Sequence, residues 1–256
     1  MIGKTNIRQR FKNDEITVTA FLRYPVAASA EILAMAGVDM LIIDNEHYPF
    51  DQETMINLVR AADVHGATTI VRVPNCEPNR IAQIMDYGVD GIMLPSIDSY
   101  EEALQLVKAV KYAPIGTRGY CPITRAASYG FDKKPSEYAA YANEHSFIIA
   151  QIETKEGVAD LDRILSIPEI DCVVYGPSDL AASYGMPGHN DDPRVQADVR
   201  TIIEKAQAAG KRVLRMVMTP EAVTQALDDG YRHLLIGSDQ QLLAGGIGAL
   251  VSAVKE

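Results

Sequence analysis

Short apolar runs alternate with helical stretches along the whole chain, and this alternation restricts the fold more than any other feature of the sequence. Strands are read at 16–22, 39–44, 68–73, 90–94, 147–152, 172–175, 213–217 and 233–236, with helices between and after them. Stop signals stand where helices should end: Gly37, Gly66 and Gly88 close the first three, and Gly210 closes the helix at 194–209. Ser99 stands at the N-cap position of the helix at 100–111. Eight such strands in 256 residues predict an α/β fold closed into a (β/α)8 TIM barrel, which typically takes about 250 residues. An open doubly wound sheet would need a glycine-rich phosphate turn after the first strand, where Arg23-Tyr24-Pro25 stands instead. The Gly245-Gly246-Ile247-Gly248 cluster falls inside a helical pattern and suits close packing or a subunit contact. No Ser, Pro or Gly tract marks a linker, so residues 1–256 are read as a single barrel domain. The rhythm breaks once, at 113–135, which has the length of a lid or binding loop.

Charge and cysteine usage narrow the function classes. A net charge of −10 disfavours nucleic acid and anionic membranes as partners. No apolar run approaches the roughly 20 residues needed to span a bilayer. The N-terminal stretch MIGKTNIRQRFKNDE lacks the apolar segment of a secretory leader. Cys76, Cys121 and Cys172 are scattered and lack CxxC spacing, against a disulfide framework or a zinc ribbon. Cys172 reads as an inert core residue and the cytoplasm as the compartment.

In a barrel the C-terminal ends of the strands share one rim, so residues distant in sequence converge there. The run Leu41-Ile42-Ile43 ends in Asp44-Asn45-Glu46-His47; Arg72 lies in the third strand, Glu153 follows the fifth, and Asp179 follows the sixth. Two carboxylates such as Glu153 and Asp179 suit a hard divalent cation, Mg²⁺ or Mn²⁺, with Co²⁺ an alternative. The competing reading is an ion pair with Arg72 or Lys155. Arg72 suits a substrate oxygen that becomes negative during reaction, or a structural pair with Asp44 or Glu46. His47 beside Asp44 and Glu46 makes a carboxylate–imidazole acid/base, and spacing leaves open which carboxylate orients the ring. The turn Gly176-Pro177-Ser178-Asp179 offers backbone N–H groups to an anion. Arg118 and Arg125, on the long loop, are candidates for recognising a carboxylate or phosphate. His65, His145, His189 and His233 read as surface or capping residues.

The blocks Ile43-Asp44-Asn45-Glu46-His47, Val71-Arg72, Gly116-Thr117-Arg118-Gly119, Gln151-Ile152-Glu153-Thr154 and Gly176-Pro177-Ser178-Asp179-Leu180 resemble, in order and over nearly the whole chain, the signatures of the HpcH/HpaI aldolases. These are class II, metal-dependent pyruvate aldolases acting on 2-keto-3-deoxy acids. The resemblance implies a (β/α)8 barrel assembled as a homohexamer, a trimer of dimers with the last helix exchanged between subunits. It implies a metal on Glu153 and Asp179, chelated by pyruvate; Arg72 on the keto oxygen; His47, oriented by Asp44, moving protons; Glu46 behind the metal; and the turn at Gly176, Pro177 and Ser178 holding the pyruvate carboxylate. The expected reaction is reversible cleavage of a 4-hydroxy-2-oxo acid to pyruvate and an aldehyde. No lysine stands in the interior of any of the eight strands, which counts against a Schiff-base aldolase. Decarboxylation of a 2-oxo diacid and a non-catalytic keto-acid-binding barrel are the alternatives. Two departures from the family pattern bear on the acceptor: Tyr120-Cys121-Pro122 makes the loop bulkier, and Arg215 lies in the seventh strand. If Arg215 faces the rim it would bind a distal acid; if outward, it is a surface charge.

Overall fold

A computed structural model describes residues 6–255, so the part of the leader expectation that rests on residues 1–5 lies outside it. The strands are β1 (Thr17–Leu22), β2 (Met40–Asp44), β3 (Thr68–Arg72), β4 (Gly91–Leu94), β5 (Phe147–Ile152), β6 (Cys172–Tyr175), β7 (Arg212–Val213), β8 (Arg215–Met216) and β9 (His233–Ser238). They form one parallel sheet in the order β7-β6-β5-β4-β3-β2-β1-β9-β8. The strand predicted at 213–217 is thus two. Its first half pairs with β6 and its second with β9, and only Leu214 separates them. Leu214 N–H donates to Val173 O at 3.0 Å and Val217 N–H to Leu235 O at 2.9 Å. The result is a nearly closed α/β barrel of nine strands whose seam runs through Leu214.

Alternation along each strand builds two apolar layers. Met40, Ile42, Ile70 and Ile149 fill the interior. Leu41, Ile43, Val71 and Ile148 face the helices outside. These include α2 (Ala27–Met35), α3 (Gln52–Val64), α4 (Pro78–Asp86), α5 (Tyr100–Val110), α6 (Pro135–His145), α10 (Pro193–Ala208) and α11 (Pro220–Asp228). Sequence periodicity missed two short helices. One is α1 (Ile7–Lys12), whose Ile7 and Phe11 enter the interior cluster and close the N-terminal end of the barrel. The other is α9 (Pro177–Ser183), read from sequence as a loop. The helical stretch between β5 and β6 divides at Asp160 into α7 (Lys155–Ala159) and α8 (Leu161–Leu165). Asp160 accepts the N–H of Tyr100 at 2.7 Å, which ties that break to the start of α5.

Segment 113–135 is not a lid over the rim. Arg118 bonds Asp86, the last residue of α4, at 2.5 Å. Arg125 bonds Tyr87 O at 2.9 Å and the Asp63 carboxylate near the end of α3. Helices run opposite to strands in this architecture, so these contacts hold the segment under the N-terminal end of the barrel. The last helix, α12 (Asp239–Lys255), is anchored at Asp239 and exposed from Gln241 onward, including Leu243, Ile247, Leu250 and Val254. No helix of the described residues is long and apolar enough to cross a membrane.

Candidate active site

Strand register assembles the first half of the rim. The β2–β3 pairing sets Asp44 opposite Arg72, each the last residue of its strand. Arg72 donates Nε to Asp44 Oδ1 at 3.0 Å and Nη2 to Oδ2 at 2.6 Å, the paired geometry that fixes a guanidinium plane. Its guanidinium lies 4.7 Å from the ring centre of Phe21. Arg23, the first residue after β1, adds Nε to Asp44 Oδ2 at 3.0 Å. Burial alone would raise the carboxyl of Asp44, which is wholly inaccessible; the hydrogen bonds and charge of Arg72 and the charge of Arg23 hold it below the ordinary value. Arg72 Nε also stands 3.1 Å from Glu46 Oε2.

The second half stands on β4, β5 and β6. Glu153, just beyond β5, is 2 % exposed. Its Oε1 accepts both the N–H and the hydroxyl of Ser96, at 2.9 and 3.0 Å, and its Oε2 accepts from Gln151. Ser96 holds φ at +48°, a left-handed conformation that an L residue adopts at a cost, and it points two donors at one carboxylate oxygen. Gly176, just beyond β6, leaves the space that this carboxylate fills: a Cβ there would overlap Glu153 Oε2. Burial, and then the negative charge of Asp179, push the Glu153 carboxyl up to about 7 against the hydrogen bonds from Gln151 and Ser96. Glu46 is also raised, by burial first, with Arg72 and His47 opposing and the charges of Asp44 and Asp179 adding to the rise.

Asp179 sits exposed in the first turn of α9, beside Ser178, whose hydroxyl accepts from Asn190 Nδ2 at 2.9 Å. His47 is also at the surface, with Nε2 3.7 Å from Glu46 Oε2. Its bond to Asp44 runs through its backbone N–H, at 3.4 Å, so the expected orientation of the imidazole by Asp44 is replaced by proximity to Glu46. Asn45 accepts the N–H of Phe50 at 2.8 Å, which explains an amide where a small residue would also fit the turn.

Three expected site residues lie elsewhere: Arg118, Arg215 and Arg125, the last held on Tyr87 O and the Asp63 carboxylate. The Arg118 guanidinium is buried, pairs with Asp86 and packs 4.5 Å from the ring centre of Tyr112, at the end of the barrel away from the rim. It borders a cavity of about 70 Å³ with Asp90 and Ser146, which immediately precede β4 and β5. Arg215 points outward: Leu214 before it fills the interior, and Arg215 donates to the Tyr175 hydroxyl at 2.7 Å and lies 5.4 Å from the Tyr231 ring centre. It binds no rim group, because adjacent strand residues face opposite sides of the wall. His233 is also not a surface residue; it is buried against Phe11 with ring centres 3.8 Å apart. Sequence reading overlooked Arg23, Ser96 and Gln151 at the site. Each lies in, or within two residues of, the end of a strand, the same signal that marks Asp44, Arg72 and Glu153.

No group of three or more His, Cys, Asp or Glu side chains suited to a metal occurs among the described residues. The fit of a divalent cation rests on Glu153 and Asp179, whose like charges oppose one another, and on the buried Gln151 Oε1, which has no hydrogen-bond partner beside them. A cation between two carboxylates, its shell completed by water or substrate oxygens, relieves that repulsion, so the residues fit the group.

A family model, HpcH/HpaI aldolase/citrate lyase, matches residues 18–245. The 2-dehydro-3,6-dideoxy-6-sulfogluconate aldolase of Pseudomonas putida is 33% identical over 95% of this chain and 94% of its own. The 2-keto-3-deoxy-L-rhamnonate aldolase of Escherichia coli (strain K12) is 31% identical over 94% of this chain and 89% of its own. The crystal structure of an HpcH/HpaI aldolase/citrate lyase family protein from Burkholderia cenocepacia J2315 superposes with a TM-score of 0.90 at 30% identity, covering 98% of this chain and all of that one. With the match extending from β1 into α12, this chain belongs to the HpcH/HpaI aldolase/citrate lyase family.

Proposed function

We propose that the protein is a carbon–carbon lyase, a divalent-metal-dependent pyruvate aldolase that reversibly cleaves a 4-hydroxy-2-oxo acid of the 2-keto-3-deoxy type to pyruvate and an aldehyde. The observation that carries this reading is the pairing of two mutually repelling carboxylates, Glu153 and Asp179, with a rigidly held Arg72 on the same rim. Relatives named as 2-keto-3-deoxy sugar acid aldolases support it.

Glu153 and Asp179 would hold Mg²⁺, Mn²⁺ or Co²⁺, and the cation when bound supplies Lewis-acid polarisation of the 2-oxo acid. Arg72 donates to the keto oxygen, where negative charge develops as the C3–C4 bond breaks. Asp44 keeps that guanidinium in one plane, so no reorganisation is needed at the moment of reaction. His47, on the open rim beside Glu46, takes the proton from the 4-hydroxyl group as the aldehyde forms and returns it to C3, which completes the methyl group of pyruvate. Ser96 and Gln151 keep the Glu153 carboxylate from rotating. The backbone around Gly176, Pro177 and Ser178 holds the pyruvate carboxylate.

Counting β7 and β8 as one strand interrupted at Leu214 gives the eight-stranded count of a (β/α)8 barrel, one domain over residues 1–256. The exposed apolar length of α12 supports a homo-oligomer, a hexamer built as a trimer of dimers, in which that helix is covered by a neighbouring subunit. Three free cysteines support a reducing cytoplasm. Decarboxylation of a 2-oxo diacid gains nothing from Arg215, which faces the helices.

The test is exchange of pyruvate methyl protons in D₂O, followed by proton NMR with Mg²⁺ or Mn²⁺. Exchange that stops on adding EDTA is the expected result. No exchange with any divalent metal refutes the aldolase reading.

A further inference from the structure

Asp44 holds one more cation than it needs. Arg72 already engages both of its oxygens, yet Arg23 brings a second guanidinium to Oδ2. Arg23 spends only Nε on that contact. Among the described residues neither of its terminal nitrogens meets an acceptor, and its side chain is 22% exposed at the rim.

The side chain is nevertheless held in place. The rings of Phe21 and Tyr48 lie 5.3 and 5.4 Å from its guanidinium carbon, and the Tyr48 hydroxyl is fixed on Gln240 at 2.9 Å. The backbone beneath it is pinned by Asp239, which accepts the N–H groups of Arg23 and Tyr24 at 3.0 Å each. An arginine held this way presents its open two-nitrogen end without losing further rotamer freedom, the geometry that carboxylate, sulfonate and phosphate oxygens match.

Its place in the barrel says which part of a substrate it reaches. Arg72 and Asp44 end β3 and β2, while Arg23 follows β1, two strands round the rim from Arg72 and on the side away from β4, β5 and Glu153. Arg72 is occupied with Asp44 and Glu46 and faces the reacting carbonyl in the reading above. The rest of the rim carries Glu46, Glu153 and Asp179, which repel an anionic substrate tail. We propose that Arg23 is the specificity residue for the aldehyde half of the substrate, binding a terminal oxyanion that lies several bonds from the carbonyl that reacts. This rests on the aldolase reading and gives it a substrate class: 4-hydroxy-2-oxo acids whose far end is also an anion.

The test runs the reaction in the condensing direction, with saturating pyruvate and Mn²⁺. The acceptors are 4-oxobutanoate, 3-oxopropane-1-sulfonate and the uncharged butanal. The wild-type enzyme favours at least one of the two anions over butanal in kcat/KM by roughly 10- to 100-fold, the value of one charge-assisted arginine contact. In Arg23→Gln that ratio falls toward one, with the loss in KM for the anionic aldehyde. Arg23→Lys, which keeps the charge but not the two-nitrogen end, lies between, and it reads the same ratio should the glutamine variant not fold. An arginine that only steadies Asp44 would slow all acceptors in parallel, so an unchanged ratio in a folded variant overturns the proposal. A wild-type enzyme without anion preference overturns it as well. Failure of the parent reading shows separately, as absent deuterium exchange into pyruvate by the wild type, and removes the inference with it.

Discussion

The two ends of the barrel treat charge in opposite ways. At the N-terminal end, long-range pairs hold several buried polar groups, although Arg118 Nε and Ser146 Oγ have no hydrogen-bond partner among the described residues. Arg118 pairs with Asp86, and Lys111 Nζ donates to Asn143 O and Ser146 O at 2.8 Å each. Arg8 bridges Asp171 and Glu144 O at 2.6 and 2.7 Å, and His233 stacks on Phe11 with its Nδ1 2.9 Å from Thr17 Oγ1. At the C-terminal rim the groups are left in excess. Asp179 repels both Glu46 and Glu153, Gln151 Oε1 has no hydrogen-bond partner, and the outer end of Arg23 is open among the described residues. Burial acts at both ends and contacts inside the chain oppose it at both, as Arg72 does for Asp44 and Arg8 for Asp171; at the rim the charge of neighbouring carboxylates adds to it. In the proposed function the rim charges await a cation and a substrate, whereas those at the base tie the chain to itself.

The widest gap between the ends should appear with Glu153→Ala. We expect at least a 100-fold loss of Mn²⁺ affinity by titration calorimetry, beyond the roughly 10- to 100-fold usual for a residue that only supports a ligand, and a matching loss of turnover. Stability to urea should change little or rise, because a buried carboxylate repelled by Asp179 is removed. Normal Mn²⁺ binding would end the contrast at its upper side.

Acid probes the base. Burial lowers the pKa of His233 from its ordinary 6.5 to about 4, so the folded state binds fewer protons than the unfolded chain between those values. Its contribution to stability is full above about 6.5 and is lost as the pH falls toward 4, amounting to roughly 3 kcal/mol over the whole window. Urea midpoints measured from pH 7 to 4.5 should fall, and His233→Gln should flatten that slope. An unchanged slope would mean that the ring does not stay neutral.

The smallest effect belongs to Arg118→Met. It leaves Asp86, which is 29% exposed, without its partner, and should cost about 1–3 kcal/mol in urea denaturation while kcat/KM stays unchanged. A loss of kcat/KM with intact stability would return Arg118 to the substrate and blur the two ends.

How far the sequence announced all this follows from the range of each signal. Periodicity is local, so β2, β3, β5 and β6 were legible, and with them Asp44, Arg72, Glu153 and the turn at Gly176. The direction of a side chain across a strand depends on register and closure. The side that Arg215 faces is fixed by its neighbour Leu214, which fills the interior. Arg118 sits in a loop whose path is set by contacts 32 residues away, at Asp86. Helix α1 is six residues long, too short for a periodic pattern to stand out, although it stoppers the barrel. Ser96 follows a proline and carries no charge, so nothing local marks the left-handed turn that aims it at Glu153.

One carboxylate links the rim to the molecule's barest surface. Asp239 opens α12, and the same side chain clasps the backbone of Arg23 and Tyr24. The start of the helix and the turn after β1 therefore share one fixed point. In the proposed oligomer, a neighbour covering Leu243, Ile247, Leu250 and Val254 would bear on the helix whose first residue holds the proposed acceptor arginine in place.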